Sequence, residues 1–318
     1  MEHLPFEPAR RITLLAPAKI NFGLRVDGRP AGEPPASDPC LDELHRDDSP
    51  WGGLAQAGSA AGSAGRSGRL HTLHSLFLPL ELADRLTVEV ATTTSLQCDV
   101  AELETTTDLV LRAATELEQL SGRPLPARFV LTKRLPVAAG LGGGSSDAAA
   151  ALLALGALYA VPRQQLLVAA VRTGSDVAYF LYGGCALVSG TGAHVQPVAS
   201  LGRRRVLLAT GLGRLATGEV YRLLDEMRSG GASGGPTAPE RGTQPVPSPR
   251  GPTAAERGLR TAPERDWAEA ILRGTIWRLP DLWTNDLEAP ARRLLPALGS
   301  LLDAWRALTP CSGMSGSG

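Results

Sequence analysis

Residues 140–158 read GLGGGSSDAAAALLALGAL, and this stretch restricts the fold of the 318-residue chain more than any other. From Asp147 to Leu158 the pattern predicts a helix that is apolar nearly all round. Such a helix has no face to give to water, so other elements must enclose it. The residues before it read as a short strand, Arg128–Lys133, which runs into the glycine-rich loop. Glycines let successive amides converge on one anion, and a helix start adds free N–H groups and a positive dipole end. The candidate phosphate-binding segment is therefore Pro136, Val137, Ala138, Ala139, Gly140, Leu141, Gly142, Gly143, Gly144, Ser145 and Ser146. No Lys-Ser/Thr follows the last glycine, so this is not the common P-loop, nor is it the dinucleotide G-x-G-x-x-G. A tight strand-to-helix turn with no ligand is the plainer alternative.

Elsewhere the pattern mixes strands and helices without regular βαβ alternation, which predicts an α+β fold. Arg11–Val26 reads as a strand pair or one bent strand. LHTLHSLFLPLEL and DRLTVEVA, from Leu70 on, read as strands. Thr107–Leu120 is a predicted helix with Thr107 as N-cap and Gly122 with Pro124 as its end. Pro162–Arg172, Thr217–Met227, Trp267–Leu272 and Leu287–Leu308 also read as helices, and Val177–Leu187 and Arg205–Ala209 as strands. Two low-complexity stretches, about 30–69 and 229–265, are too poor in apolar residues to order themselves and read as disordered insertions.

Lys+Arg and Asp+Glu are equal at 32 each, so the chain lacks the basic surplus that a phosphate backbone attracts, and nucleic acid is not an expected partner. The longest apolar stretch, Ala148–Leu158, is too short to cross a bilayer, and the N-terminus has no secretory pattern; a cytoplasmic protein with no membrane partner is the default expectation. The cysteines, Cys40, Cys98, Cys185 and Cys311, show no metal-ligand spacing and read as reduced thiols. Of the 32 basic residues only Lys19 and Lys133 are lysine, and the only asparagines are Asn21 and Asn285. An ammonium is a compact point charge suited to a single oxygen, so these positions are candidates for chemistry.

The seven-residue GLGGGSS, followed by Asp and an alanine-rich helix start, resembles the nucleotide loop of the GHMP kinases, in the form found in the 4-diphosphocytidyl-2-C-methyl-D-erythritol kinases. Further segments are similar to that family and occur in its order: APAKINFGLRV (Ala16–Val26), GSDVAYFLYGG (Gly174–Gly184), ATGEVYRLLD (Ala216–Asp225), TNDLE (Thr284–Glu288) and MSGSG (Met314–Gly318). GRLHTL (Gly68–Leu73) corresponds to the family's DGYHEL, with Leu70 where the family has an aromatic residue.

The resemblance implies a two-domain GHMP-kinase-like fold with a deep cleft. It implies domains at about 10–188 and 189–318, the second shortened at its C-terminal end because the chain reaches Gly318 inside the third glycine motif. It implies ATP-dependent phosphorylation of the 2-hydroxyl of 4-diphosphocytidyl-2-C-methyl-D-erythritol in non-mevalonate isoprenoid precursor synthesis. The cofactors would be ATP and Mg2+, and the partner a small cytidine-bearing substrate. Asp176 would orient the attacking hydroxyl and take its proton, and Lys19 would hold that hydroxyl or the γ-phosphate. A capping aspartate and a surface lysine are the plain alternatives. Asn21, His71, Thr217 and Tyr221 would bind substrate, with Tyr221 equally readable as a core residue from its helical spacing. Ser146 is the candidate Mg2+ contact. Lys133 lies near the nucleotide or simply ends a strand. His71 and His74 have no third ligand to complete a metal site. Another GHMP small-molecule kinase, for homoserine, mevalonate or a sugar, and a non-catalytic ligand-binding relative remain open.

Overall fold

The computed structural model describes residues 10–30, 71–100, 108–230, 277 and 283–316. Leu70, Thr107, Trp267–Leu272 and nearly all of the two expected insertions lie outside the described residues.

Strand β1 (Arg11–Pro30) and strand β2 (His71–Val90) pair antiparallel along almost their whole length. The apolar alternation of each half persists through its irregularities, so the two strands expected after Leu70 are one, and β1 is a single bent strand. Its bend has an identifiable cause. Phe22 pairs with Leu76 and Leu24 with Ser75, which leaves Gly23 as an extra residue with φ of 60°. A glycine in the left-handed region is what a bulge of this kind needs.

Four shorter strands complete the sheet: β3 (Ser95–Cys98), β4 (Ala127–Thr132), β5 (Ala186–Gly190) and β6 (His194–Pro197). The six-stranded order is β3-β4-β2-β5-β6, with β1 also on β2. β4 pairs with the C-terminal half of β2 and β5 with its N-terminal half. Among the described strands only β3 and β4 pair parallel, so the sheet is mixed, as an α+β fold predicts.

Helix α1 (Leu109–Ser121) is capped by Asp108, whose Oδ1 accepts from the Val110 amide at 2.7 Å, one residue later than the expected Thr107. It ends at Gly122, with φ of 65°. Helix α2 (Gly143–Tyr159) begins four residues before the predicted Asp147, so Gly143 to Ser146 form its first turn. It packs on α1, on α3 (Arg163–Thr173), on α4 (Val177–Tyr182) and on β1 and β2, with Ala148 to Leu152, Ala154 and Leu155 buried. That enclosure is what its all-apolar surface requires.

Three expectations are corrected. Val177–Leu187 is not a strand: its first half is α4, and only the stretch from Ala186 is β5. Every residue from Val177 to Leu181 is buried, and a short apolar run bounded by glycines carries no period that separates helix from strand. Arg205–Ala209 has no regular structure and is largely exposed. Leu287–Leu308 is two helices, α6 (Glu288–Leu294) and α7 (Pro296–Leu308), because Pro296 cannot donate to continue the first and starts the second.

Helix α5 (Thr217–Gly230), α6 and α7 share an apolar cluster of Val220, Leu224, Leu287, Ala291, Leu302 and Met314, which Leu24 and Val26 join from β1. The larger cluster lies between the sheet and α1 to α4. β1 therefore contributes to both and carries the residues between them. No described helix is long and apolar enough to cross a membrane.

Candidate active site

Lys19 and Asn21 alternate on β1 and so share one face. Lys19 is 3% exposed, and a buried ammonium is tolerated only with partners. Its Nζ lies 2.5 Å from Asn21 Oδ1, 3.3 Å from Asp176 Oδ2 and 4.7 Å from the centre of the Phe77 ring. Asp176 occupies the N-cap position of α4, yet its side chain makes no cap hydrogen bond and turns to Lys19 instead. The capping alternative is thereby removed. Asn21 Nδ2 donates to Ser75 Oγ at 3.2 Å, Ser75 Oγ donates to the Gly23 carbonyl at 2.6 Å, and the Asn21 amide donates to Ser315 Oγ at 2.9 Å.

The glycine-rich loop borders this group. The Lys19 amide donates to the Leu141 carbonyl at 2.9 Å. Pro136, Val137 and Ala138 are exposed, and Ala139 and Gly140 partly so. Gly142 has φ of 71°, and a Cβ there would stand 3.0 Å from Phe180 Cζ and 3.1 Å from Lys19 Cε. At Gly140 a Cβ would stand 2.6 Å from the Ser315 carbonyl oxygen. Backbone therefore approaches backbone and Lys19 where only glycine leaves room. Gly143, Gly144 and Ser145 lie in the first turn of α2, where amides have no intrahelical acceptor. Ser146 is 1% exposed, and its Oγ has no hydrogen-bond partner among the described residues.

Behind the first turn of α2, Lys133 follows the last residue of β4 and joins two buried carboxylates, with Nζ 2.5 Å from Asp84 Oδ2 and 2.7 Å from Asp147 Oδ2. Asp84 Oδ1 also accepts from the amides of Arg134 and Leu135 at 2.5 and 2.8 Å. Burial pushes the Asp147 carboxyl up to about 7 against the opposing pull of Lys133. Burial works to lower the Lys133 pKa, but the two carboxylates outweigh it and hold it above the ordinary lysine value. Lys133 both follows β4 and borders the glycine-rich loop, where a Cβ at Gly143 would lie 3.4 Å from its Nζ.

A second group lies where the start of β2 meets α5. His71 Nε2 is 2.8 Å from Asp225 Oδ1, and the His71 and Tyr221 rings are 4.8 Å apart at 34°. Burial, and next the charge of Asp176, pushes the Tyr221 phenol up to about 12, so this group lies within electrostatic reach of the Lys19–Asp176 pair. Thr217 is the exposed first residue of α5, one turn before Tyr221. His71 and His74, three apart on a strand, point to opposite faces and cannot chelate one ion.

Phe77, Asp84, Asp147, Asp225 and Ser315 complete these groups without having been singled out from the sequence. Asp147 had a usable signal, since it follows Ser145-Ser146 directly. Asp84 had none, because it was read only as the first residue of a strand.

The sequence profile described as GHMP kinases N terminal domain matches residues 108–184. Curated relatives named 4-diphosphocytidyl-2-C-methyl-D-erythritol kinase include one from Thermus thermophilus, 38% identical over 296 residues that cover 92% of this chain and 80% of that protein. Another, from Deinococcus radiodurans, is 42% identical over 156 residues, 48% of this chain and 52% of that protein. The chain spans only 52% to 64% of the length of several such relatives. A crystal structure of 4-(cytidine 5'-diphospho)-2C-methyl-D-erythritol kinase superposes with a TM-score of 0.55 at 30% identity, covering 96% of this chain and 87% of that one. The fold alone is shared with L. major mevalonate kinase, at a TM-score of 0.55 and 14% identity over 98% of this chain and 86% of that one. Matches of this length and identity, added to a glycine-rich loop closed around a buried lysine, show that the chain belongs to the 4-diphosphocytidyl-2-C-methyl-D-erythritol kinase family of the GHMP kinases.

Proposed function

We propose that this chain transfers the γ-phosphate of ATP to the 2-hydroxyl of 4-diphosphocytidyl-2-C-methyl-D-erythritol, in the cytoplasm, as a step of non-mevalonate isoprenoid precursor synthesis. The observation that carries the reading is the Lys19–Asp176 pair, 3.3 Å apart beside the glycine-rich loop. A protein that only bound its ligand would have no use for a buried ammonium against a carboxylate at that place. We read the chain as two domains, expected at about 10–188 and 189–318, with the division drawn after β6, which pairs with β5, and with the site where β1 joins the apolar clusters.

In this reading the phosphates lie on the loop from Pro136 to Ser146, held by backbone amides at the start of α2. Asp176 takes the proton of the substrate hydroxyl as its oxygen bonds to the γ-phosphorus. The bond from that phosphorus to the bridging oxygen breaks, and ADP leaves with the electron pair. The Lys19 ammonium has three donors. Asn21 and Asp176 engage two of them, leaving one for a phosphoryl oxygen, where charge builds up in transfer. The orphaned, buried Ser146 hydroxyl suits a contact to Mg2+, which when bound neutralises phosphate charge. His71, Tyr221 and Thr217 bind the cytidine end of the substrate.

Asp176→Ala and Lys19→Ala should each lower kcat by about a thousandfold or more, in line with the loss of a proton acceptor or a charge-stabilising donor. Thermal melts should show both variants folded. A coupled ADP-release assay on the cytidine substrate, with homoserine, mevalonate and galactose as comparisons, tests the reading. Near-normal turnover in both variants would refute the assigned roles, and turnover of a comparison substrate alone would refute the assigned substrate.

A further inference from the structure

Gly174, Ser175 and Asp176 link α3 to α4, and both flanks of this link are fixed. The Gly174 amide donates to the Ala170 carbonyl at 3.0 Å, and α4 is buried from Val177 to Leu181. The Val177 amide donates to the Gly174 carbonyl at 3.2 Å and closes a tight turn. The Asp176 side chain makes no hydrogen bond to the helix it starts, so its aim at Lys19 depends on how the Ser175 backbone is seated.

That backbone rests on another element. In the turn from β5 to β6, Ser189 pairs with His194 and the Gly192 amide donates to the Ser189 carbonyl at 3.2 Å. Gly192 is buried, with φ of 94°. A Cβ there would stand 2.8 Å from the Ser175 carbonyl oxygen, 3.0 Å from Ser175 Cβ and 3.2 Å from the Ser175 carbonyl carbon. The nearest atoms all belong to the residue before Asp176. Gly190, in the same turn, also has a positive φ, 67°, yet a Cβ there would meet nothing within 4 Å. Backbone conformation alone accounts for Gly190, whereas Gly192 also leaves the gap into which the Ser175 peptide fits.

We propose that Gly192 is a positioning residue for phosphoryl transfer: its bare Cα lets the β5–β6 turn seat the Ser175 peptide, and so holds the Asp176 carboxylate where it meets Lys19 and the substrate hydroxyl. This role rests on the reading of Asp176 given above and extends it to a turn that no motif marked. Side-chain movement cannot absorb a methyl at Gly192, because the atom it meets first is a backbone carbonyl oxygen. The Ser175 peptide has to shift, and Asp176 shifts with it, away from the hydrogen-bonding reach that a general base needs.

The test compares Gly192→Ala with Gly190→Ala in the whole chain, with ATP and 4-diphosphocytidyl-2-C-methyl-D-erythritol as substrates. Both substitutions place alanine at positive φ, but only the first presses on Ser175. Gly192→Ala should lower kcat by about ten- to a hundredfold, the order expected of a displaced catalytic group. Its KM for ATP should stay within about twofold of the wild type, as should kcat in Gly190→Ala. In an Asp176→Ala background, Gly192→Ala should change the remaining kcat by less than about twofold, because nothing is left to position. Losses that multiply in the double variant would overturn the inference, as would equal losses of kcat in the two glycine variants. Thermal melts accompany the kinetics. A Gly192→Ala chain that fails to fold while Gly190→Ala folds would show that the contact holds the fold rather than the carboxylate, and would overturn the inference too. Normal kcat in Gly192→Ala beside an inactive Asp176→Ala would remove this role alone. Near-normal turnover by Asp176→Ala, or none by the wild type, would remove the reading of Asp176 and this role together.

Discussion

Lys133 brings one positive charge to two buried carboxylates, Asp84 and Asp147, so full ionisation leaves the group one charge negative inside the protein. Protonating Asp147 removes that surplus, which is the physical sense of its rise to about 7 from an ordinary 3.8; burial is the main cause, and Asp84 and Asp108 face it with like charge. The native state therefore holds a proton that the unfolded chain releases. Stability from this group is full below the unfolded value and is lost as pH rises through about 7. Urea unfolding should accordingly show a falling contribution between about pH 4 and pH 7, and Asp147→Asn should remove that slope relative to the wild type. Identical slopes in the two proteins would refute it. Gly142 makes a second residue-scale point. An added methyl there has 3.0 Å to Phe180 and 3.1 Å to Lys19, on a backbone with φ of 71°. Gly142→Ala should displace the lysine and lower kcat/KM by about ten- to a hundredfold in steady-state assays, the order expected of a misplaced catalytic group.

At the scale of elements, α2 answers for the stability of the larger core. Leu152 is fully buried where α2 meets its neighbours. Leu152→Ala should cost about 2–5 kcal/mol, by lost burial and the cavity left behind, and should lower the thermal midpoint by several degrees. α2 was readable because its composition leaves only one environment possible. The six residues of α4 were not, because VAYFLY suits a buried strand and a buried helix equally. The start of α2 was misplaced for a related reason. Glycine and serine are weak helix formers, and their helical geometry comes from docking the loop against Lys19 and Leu135.

For the molecule as a whole, Asn285 ties distant segments to the site. Its Nδ2 donates to the Met314 and Gly316 carbonyls at 2.9 and 2.8 Å, and its Oδ1 accepts from the Leu287 amide at 2.9 Å. On either side of it, Leu24 bonds to Thr284 and Asp286 through the backbone at 2.8 Å each. Ser315, held in that turn, accepts from the Asn21 amide and lies against Gly140. Asn285→Ala should leave two carbonyls and an amide without partners. The expected loss is about 1–3 kcal/mol, with a higher KM for ATP as Ser315 moves off Gly140. Denaturant titration and steady-state kinetics would check the two effects, and an unaltered KM would show that the turn does not support the loop.

The near absence of lysine and asparagine from an arginine-rich chain marked Lys19, Lys133, Asn21 and Asn285, and all four now have structural work. What the sequence by itself determined is local. The glycine-rich loop, the enclosed helix after it, and the alternation that places Lys19 beside Asn21 follow from consecutive residues and a fixed period. The tertiary structure alone decided which residue meets which. Asp84 and Asp147 meet through Lys133, and Asp225 reaches His71, across separations that no periodicity encodes, because those contacts exist only once β4 lies against β2 and α5 packs at the start of β2.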